Sequence, residues 1–169
     1  MPWRVHESCE TPLKIWMLLH LFFAFSYVGT LIVAEWNGRA ARATTDWSQR
    51  ALLFQIVFLS ARVAGIGSLV LLGVFGNIVA PKLGHSMAHD PWMRIVNTIW
   101  IASVLTVLFF TLPNAGRLTR IARDAAAGGD SSGYGASLTR WRIGNVLQSV
   151  LYLALLVLMV FHANGGGPR

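Results

Sequence analysis

The sequence predicts an all-α protein, an integral membrane four-helix antiparallel bundle, and three observations carry that expectation. Hydrophobic residues make up 54% of the 169 positions against 12% charged, and a mean hydropathy of +0.54 is far above what a soluble domain of this length needs for its core. The apolar residues fall into four runs, 13–36, 52–80, 91–112 and 143–161, each close to the ~20 residues that cross a hydrocarbon layer as a helix. The stretches between them are short and rich in Arg, Gly, Pro and Ser, which is the chemistry of connections. The chain reads as one transmembrane domain over 1–169.

The first run follows a dozen mostly polar residues, is too long for a signal-peptide core, and ends in Glu35-Trp36-Asn37 where a cleavage site would need small residues. It is expected to stay in the mature protein. The second carries Gly65, Gly73 and Gly76, small enough to accept a neighbouring backbone or a flat ligand such as a porphyrin. Asp90-Pro91 suits an N-cap and first-turn proline for the third helix, and Pro113 marks where that span passes into the basic stretch "NAGRLTRIARDAA". That stretch is expected to lie against anionic lipid. The fourth run ends at His162 and a glycine-rich tail. Gly38-Arg39-x-x-Arg42 after the first run and Gly116-Arg117-x-x-Arg120 after the third repeat one pattern.

Lysine and arginine near span ends are retained on the cytoplasmic side. Arg39, Arg42, Arg50, Arg117, Arg120, Arg123, Arg140 and Arg142 lie in connections one and three; Arg4, Lys14, Lys82, Arg94 and Arg169 lie opposite. Eight against five puts both termini outside. The net charge of +7 is then a matter of orientation, and no nucleic acid partner is expected. One cysteine, Cys9, excludes an intrachain disulfide.

All five histidines, His6, His20, His85, His89 and His162, fall on the outer half of this topology. His20 lies ~9 Å along a helix from Lys14, at 1.5 Å per residue, inside apolar sequence. An ionisable group there faces the bundle and has a partner; it either ligates or handles a proton, or it joins helices by a hydrogen bond. With His162 or Met159 as the second ligand, His20 is a candidate axial ligand of b-type haem. The segment "HSMAHD" offers the alternative, His85, Met87 and His89 as an outer copper site, with His6 or Cys9 as additions. Arg62 either snorkels at the membrane boundary or points into the bundle toward an anion such as Glu35 or a haem propionate. No catalytic triad, nucleotide-binding glycine motif or buried carboxylate pair is present in the sequence.

The first run, "LKIWMLLHLFFAFSYVGTLIVAEW", with His20, Tyr27 and Gly29, resembles the opening helix of several bacterial four-helix membrane families. They include the CopD-type copper-resistance domain, the HemJ-type protoporphyrinogen oxidases and the predicted integral-membrane family termed domain of unknown function 2269. The last is most similar in its four-span layout, in "ARVAGIG", in "AGRLTRIARDAA" and in "LYLALLVLMVFH". The resemblance implies a bacterial inner-membrane location. HemJ-like kinship implies haem on His20, although the lysine of that family's third helix has no counterpart near Val96 and Asn97. CopD-like kinship implies copper handling. The expectation is a small membrane protein that binds b-type haem or serves a haem or electron-transfer complex. The alternatives are a copper-handling transport or resistance protein and a cofactor-free scaffold subunit. Expected partners are the lipid bilayer and a larger membrane complex or a second copy.

Overall fold

The computed structural model describes the backbone of residues 7–163 and the side chains of residues 13–161. Four long helices follow one another: α1 (Glu7–Ala43), α2 (Trp47–Lys82) and α3 (Pro91–Ala126), and α4 (Tyr134–Ala163). All four are long and apolar enough to cross a membrane, and no strand occurs among the described residues. The connections 44–46, 83–90 and 127–133 are short, so consecutive helices run antiparallel. Large apolar side chains such as Leu18, Phe22, Phe25, Ile32, Leu153 and Phe161 face outward, the distribution expected of a multi-pass membrane protein.

Local chemistry sets the ends. Asp46 Oδ1 accepts from the Ser48 N–H at 2.9 Å and caps the start of α2. Asp90 is the N-cap residue of α3, followed by Pro91, but its carboxylate turns back to accept from the Ser86 N–H at 2.8 Å. Both α2 and α3 stop in a left-handed glycine: Gly84 (φ +85) lets the His85 N–H reach Ala80 O at 3.0 Å, and Gly128 (φ +84) lets the Gly129 N–H reach Asp124 O at 2.8 Å.

Each of the two central helices carries a π-turn, Ala61–Gly65 in α2 and Val107–Thr111 in α3. In α3 the cause is Pro113: it has no N–H to donate and its ring crowds the carbonyl one turn back, so the widened turn relieves the clash and the helix continues to Ala126. The basic stretch after Pro113 is therefore a helical extension. Its buried positions Ala115, Leu118, Thr119 and Ala122 follow the i, i+3, i+4, i+7 pattern and, through Ala115 and Leu118, pack on Phe54 and Val57 of α2.

Two apolar clusters form the core. At the arginine-rich end Ala34, Ala41, Phe54, Val57, Ala115, Leu118 and Trp141 close together, with Trp141 edge-on to Phe54 at 5.4 Å. Toward the other end Tyr27, Leu69, Leu72, Val107 and Tyr152 do the same. Helices α2 and α3 lie side by side through the first cluster and part beyond their π-turns, toward connection 83–90. Gly38 lies directly against the Trp141 ring and Gly116 against Phe58, so both copies of the Gly-Arg pattern serve as seats for an aromatic ring from another helix. The arginines that follow each glycine, Arg39, Arg42, Arg117 and Arg120, are exposed.

A Cβ at Gly38 would collide with a buried indole. Overpacking of this kind costs about 1–3 kcal/mol. Gly38→Ala should lower the thermal unfolding midpoint in detergent, and adding Trp141→Phe should recover most of the loss; equal midpoints for Gly38→Ala and wild type would show that the contact does not limit helix approach.

Candidate functional site

Where α2 and α3 part, the four helices line a partly open cavity of about 400 Å³. Its wall is mostly apolar, and the residues that bring polar atoms to it are His20 on α1, Asn77 on α2, Trp92, Asn97 and Trp100 on α3, His85 on the connection and Tyr152 on α4. No acidic side chain is among the described residues that line it. This is the composition of a small-molecule site, predominantly apolar with a few placed polar groups.

His20 is held by α2. Its Nδ1 lies 3.0 Å from Leu72 O, and its Cε1 occupies the space beside Gly76, 3.0 Å from where a Cβ would stand. A carbonyl can only accept, so the proton of the neutral imidazole is on Nδ1 and Nε2 carries the bare lone pair. Nε2 has no hydrogen-bond partner among the described residues. This arrangement is the one found behind metal-ligating histidines, with one ring nitrogen anchored to a carbonyl and the other left basic and oriented.

The floor is built by Trp100 and two asparagines. Trp100 lies flat against Gly73, which has no Cβ to prevent it, and its Nε1–H donates to Leu69 O at 2.8 Å. Asn77 Nδ2 donates to Gly73 O at 2.9 Å and to Asn97 Oδ1 at 2.8 Å, and Asn97 Nδ2 donates to Met93 O at 2.9 Å. The pair ties α2 to α3 where apolar packing between them is thin. Tyr152 of α4 also lines the cavity and donates its hydroxyl to Ala24 O at 3.0 Å.

Of the haem candidates, His20 and Met159 line this one cavity, and the side chain of His162 lies outside the described residues. Arg62 is elsewhere, exposed in the π-turn of α2 with its guanidinium 5.9 Å from the centroid of the Phe58 ring. Glu35, considered as its partner, binds Arg39 at 2.6 Å and Asn145 at 3.2 Å. Of the copper candidates, His85 lines the cavity, stands edge-on to Trp92 at 5.0 Å and has Nδ1 3.5 Å from Asp90 Oδ2. Met87 and His89 are exposed in a non-helical turn, so His85 and His89 do not share a helix face. His6 and the Cys9 side chain lie outside the described residues. Among those described, no three His, Cys, Asp or Glu side chains converge as a metal site.

Sequence reasoning missed Asn77, Asn97, Trp100 and Tyr152. A usable signal existed for the asparagines, two amides interrupting otherwise apolar runs, because such groups face a partner rather than lipid. No family model, curated protein or solved structure matches the chain.

Interhelical hydrogen bonds in membrane bundles contribute about 0.6 kcal/mol on average and up to ~1.7. Asn77→Ala removes the only donor that Asn97 Oδ1 has among the described residues and should destabilise by an amount in that range, read from unfolding in mixed micelles. Stability unchanged or raised would mean the pair does not hold α2 to α3.

Proposed function

We propose that the protein is a small electron-transfer component of a membrane, and that its cavity holds b-type haem with His20 Nε2 as an axial ligand. One observation carries this reading: an imidazole fixed through Nδ1 to a backbone carbonyl, with its basic nitrogen unpartnered, on the wall of an apolar cavity that Met159 also lines. The residues present fit the group. A neutral imidazole and a thioether are side chains that could hold haem iron, and the Trp and Tyr rings on the wall suit a flat conjugated partner.

Haem supplies one-electron chemistry when bound. The chain's own residues bind and tune. Leu72 O orients the His20 ring and fixes its tautomer through the Nδ1 hydrogen bond, Gly76 allows the ring to sit close to α2, and Trp100 with the Asn77–Asn97 pair forms the floor. The resemblance to bacterial four-helix membrane families, with haem on the first-helix histidine in one of them, supports the same reading and a place in a bacterial inner membrane. The arginine distribution supports an orientation with the cavity toward the outer face and both termini outside.

Protein expressed with sufficient haem and purified in detergent should show a Soret band at near-stoichiometric haem. His20→Ala should reduce bound haem at least tenfold, while Met159→Leu should keep haem and shift the spectrum or lower the midpoint potential. A colourless wild-type protein under haem-replete conditions, or a full Soret band in His20→Ala, would end the proposal. For orientation, a cytoplasm-active reporter should fluoresce when inserted in connection 127–133 and stay dark at the C-terminus; the reverse pattern would invert the topology.

A further inference from the structure

A second group of buried polar side chains lies apart from the cavity, at the level of the two π-turns. Tyr27 of α1, Thr111 of α3, and Asn145 and Gln148 of α4 are 2%, 5%, 4% and 1% exposed. The Tyr27 and Thr111 hydroxyls, Asn145 Oδ1 and both amide atoms of Gln148 are without a hydrogen-bond partner. Tyr27 faces the Gln148 amide without closing a well-formed hydrogen bond to it. The four side chains surround a void of about 20 Å³, which the π-turn residues Ala61 and Gly65 of α2 and Val107 of α3 also line. Helix bundles in apolar solvent do not leave so many buried polar atoms unsatisfied, because none of them can turn to bulk water.

We propose that this void binds one water molecule as an integral part of the bundle. A site needs ≳10–15 Å³ of accessible volume to take one water, and about 20 Å³ leaves no room for a second. The chemistry of the lining makes the choice. The Tyr27 and Thr111 hydroxyls and the Gln148 Nε2 offer protons, the Thr30 hydroxyl, already donating to Tyr27 O at 2.8 Å, can only accept, as do Asn145 Oδ1 and Gln148 Oε1, and water is the occupant that both gives and takes. A bare cation would face the Gln148 amino group, and an anion would face two amide oxygens. The water accepts from Gln148 Nε2 or the Tyr27 hydroxyl and donates to Asn145 Oδ1, joining α1 to α4; Thr111 extends the network to α3.

Asn145 also links the site to a polar group nearer the surface. Asn145 Nδ2 donates to Glu35 Oε2 at 3.2 Å, and Glu35 is partly exposed and bonded to Arg39. On the opposite side the Tyr27 and Tyr152 rings, 5.4 Å between centroids, stand between the void and the large cavity, which Tyr152 lines. This inference is independent of whether the large cavity holds haem.

A structure of the full chain at a resolution that orders water should show one peak within ~2.7–3.2 Å of Gln148, Asn145 and a hydroxyl of Tyr27 or Thr111. An empty void with Gln148 bonded directly to Tyr27 and Asn145 would overturn the proposal. So would an ion, detected as anomalous signal after exchange of sodium and potassium for rubidium. A second measurement needs no crystal: the side-chain amide of Gln148, assigned by its disappearance in Gln148→Met, should show a water cross-peak in micelles. That cross-peak should weaken in Tyr27→Phe and Asn145→Leu, and a wild-type amide with no water cross-peak would refute the site.

Discussion

An aromatic ring seated on a glycine of a neighbouring helix is the contact that sets how closely these helices approach. Lipid is as apolar as the outside of each helix, so burial of hydrocarbon does little to bring two of them together, and close packing with a few hydrogen bonds must do it. Trp141 against Gly38, Phe58 against Gly116 and Trp100 against Gly73 are three instances, and the His20 ring against Gly76 is a fourth. Each replaces what would be a Cβ with a large flat surface, which multiplies dispersion contacts at one point. The position of each glycine along its helix then fixes the register of the pair.

The cavity is a consequence of that arrangement. At the arginine-rich end, small and aliphatic residues of α2 and α3 interlock and the helices stay together. Past the π-turns, the Trp100 indole lies between α3 and Gly73 of α2 and holds the two apart, with an amide pair further along. What remains open is bounded by α1 and α4, and the residues those helices present there include His20 and Met159. The Leu72 carbonyl, which already serves its own helix, uses its second lone pair to anchor the imidazole. Site and scaffold thus share atoms: the same turn of α2 that seats Trp100 and His20 also orients the proposed ligand nitrogen.

Polar groups inside the bundle occupy two levels, one around Leu72 to Asn77 and one around Asn145 and Gln148, with the Tyr27–Tyr152 pair between them. At the first level nearly every donor is matched to a carbonyl or an amide oxygen, which makes a rigid wall. At the second the side chains converge on a shared void and leave their valences open. Rigid satisfaction suits a site that must hold a ligand in one geometry, and converging open valences suit the single bound water proposed above. The π-turn residues Ala61, Gly65, Val107 and Thr111 line this second level.

Most of the architecture was legible in the residues. A helix in hydrocarbon satisfies its own backbone, so four apolar runs of spanning length imply four helices in chain order without reference to any partner, and the later connections could be read from Asp90-Pro91 and from the glycine-rich stretch after the third run. The helix lengths were less legible: the polar continuation after Pro113 stays helical because its own apolar stripe finds α2, a fact about a neighbour. For the site, sequence alone determined that His20 was anomalous and that Met159 and His85 belonged to the same end of the bundle. Only the tertiary structure decided that these three share one cavity, that Arg62, Met87 and His89 do not line it, and that two asparagines and Trp100 do. The physical reason is separation along the chain. Which way a side chain faces is settled by contacts such as His20 to Leu72, 52 residues apart, or Tyr152 to Ala24, 128 apart. Hydrophobic periodicity carries little of that information in a helix whose lipid-facing and core-facing sides are both apolar.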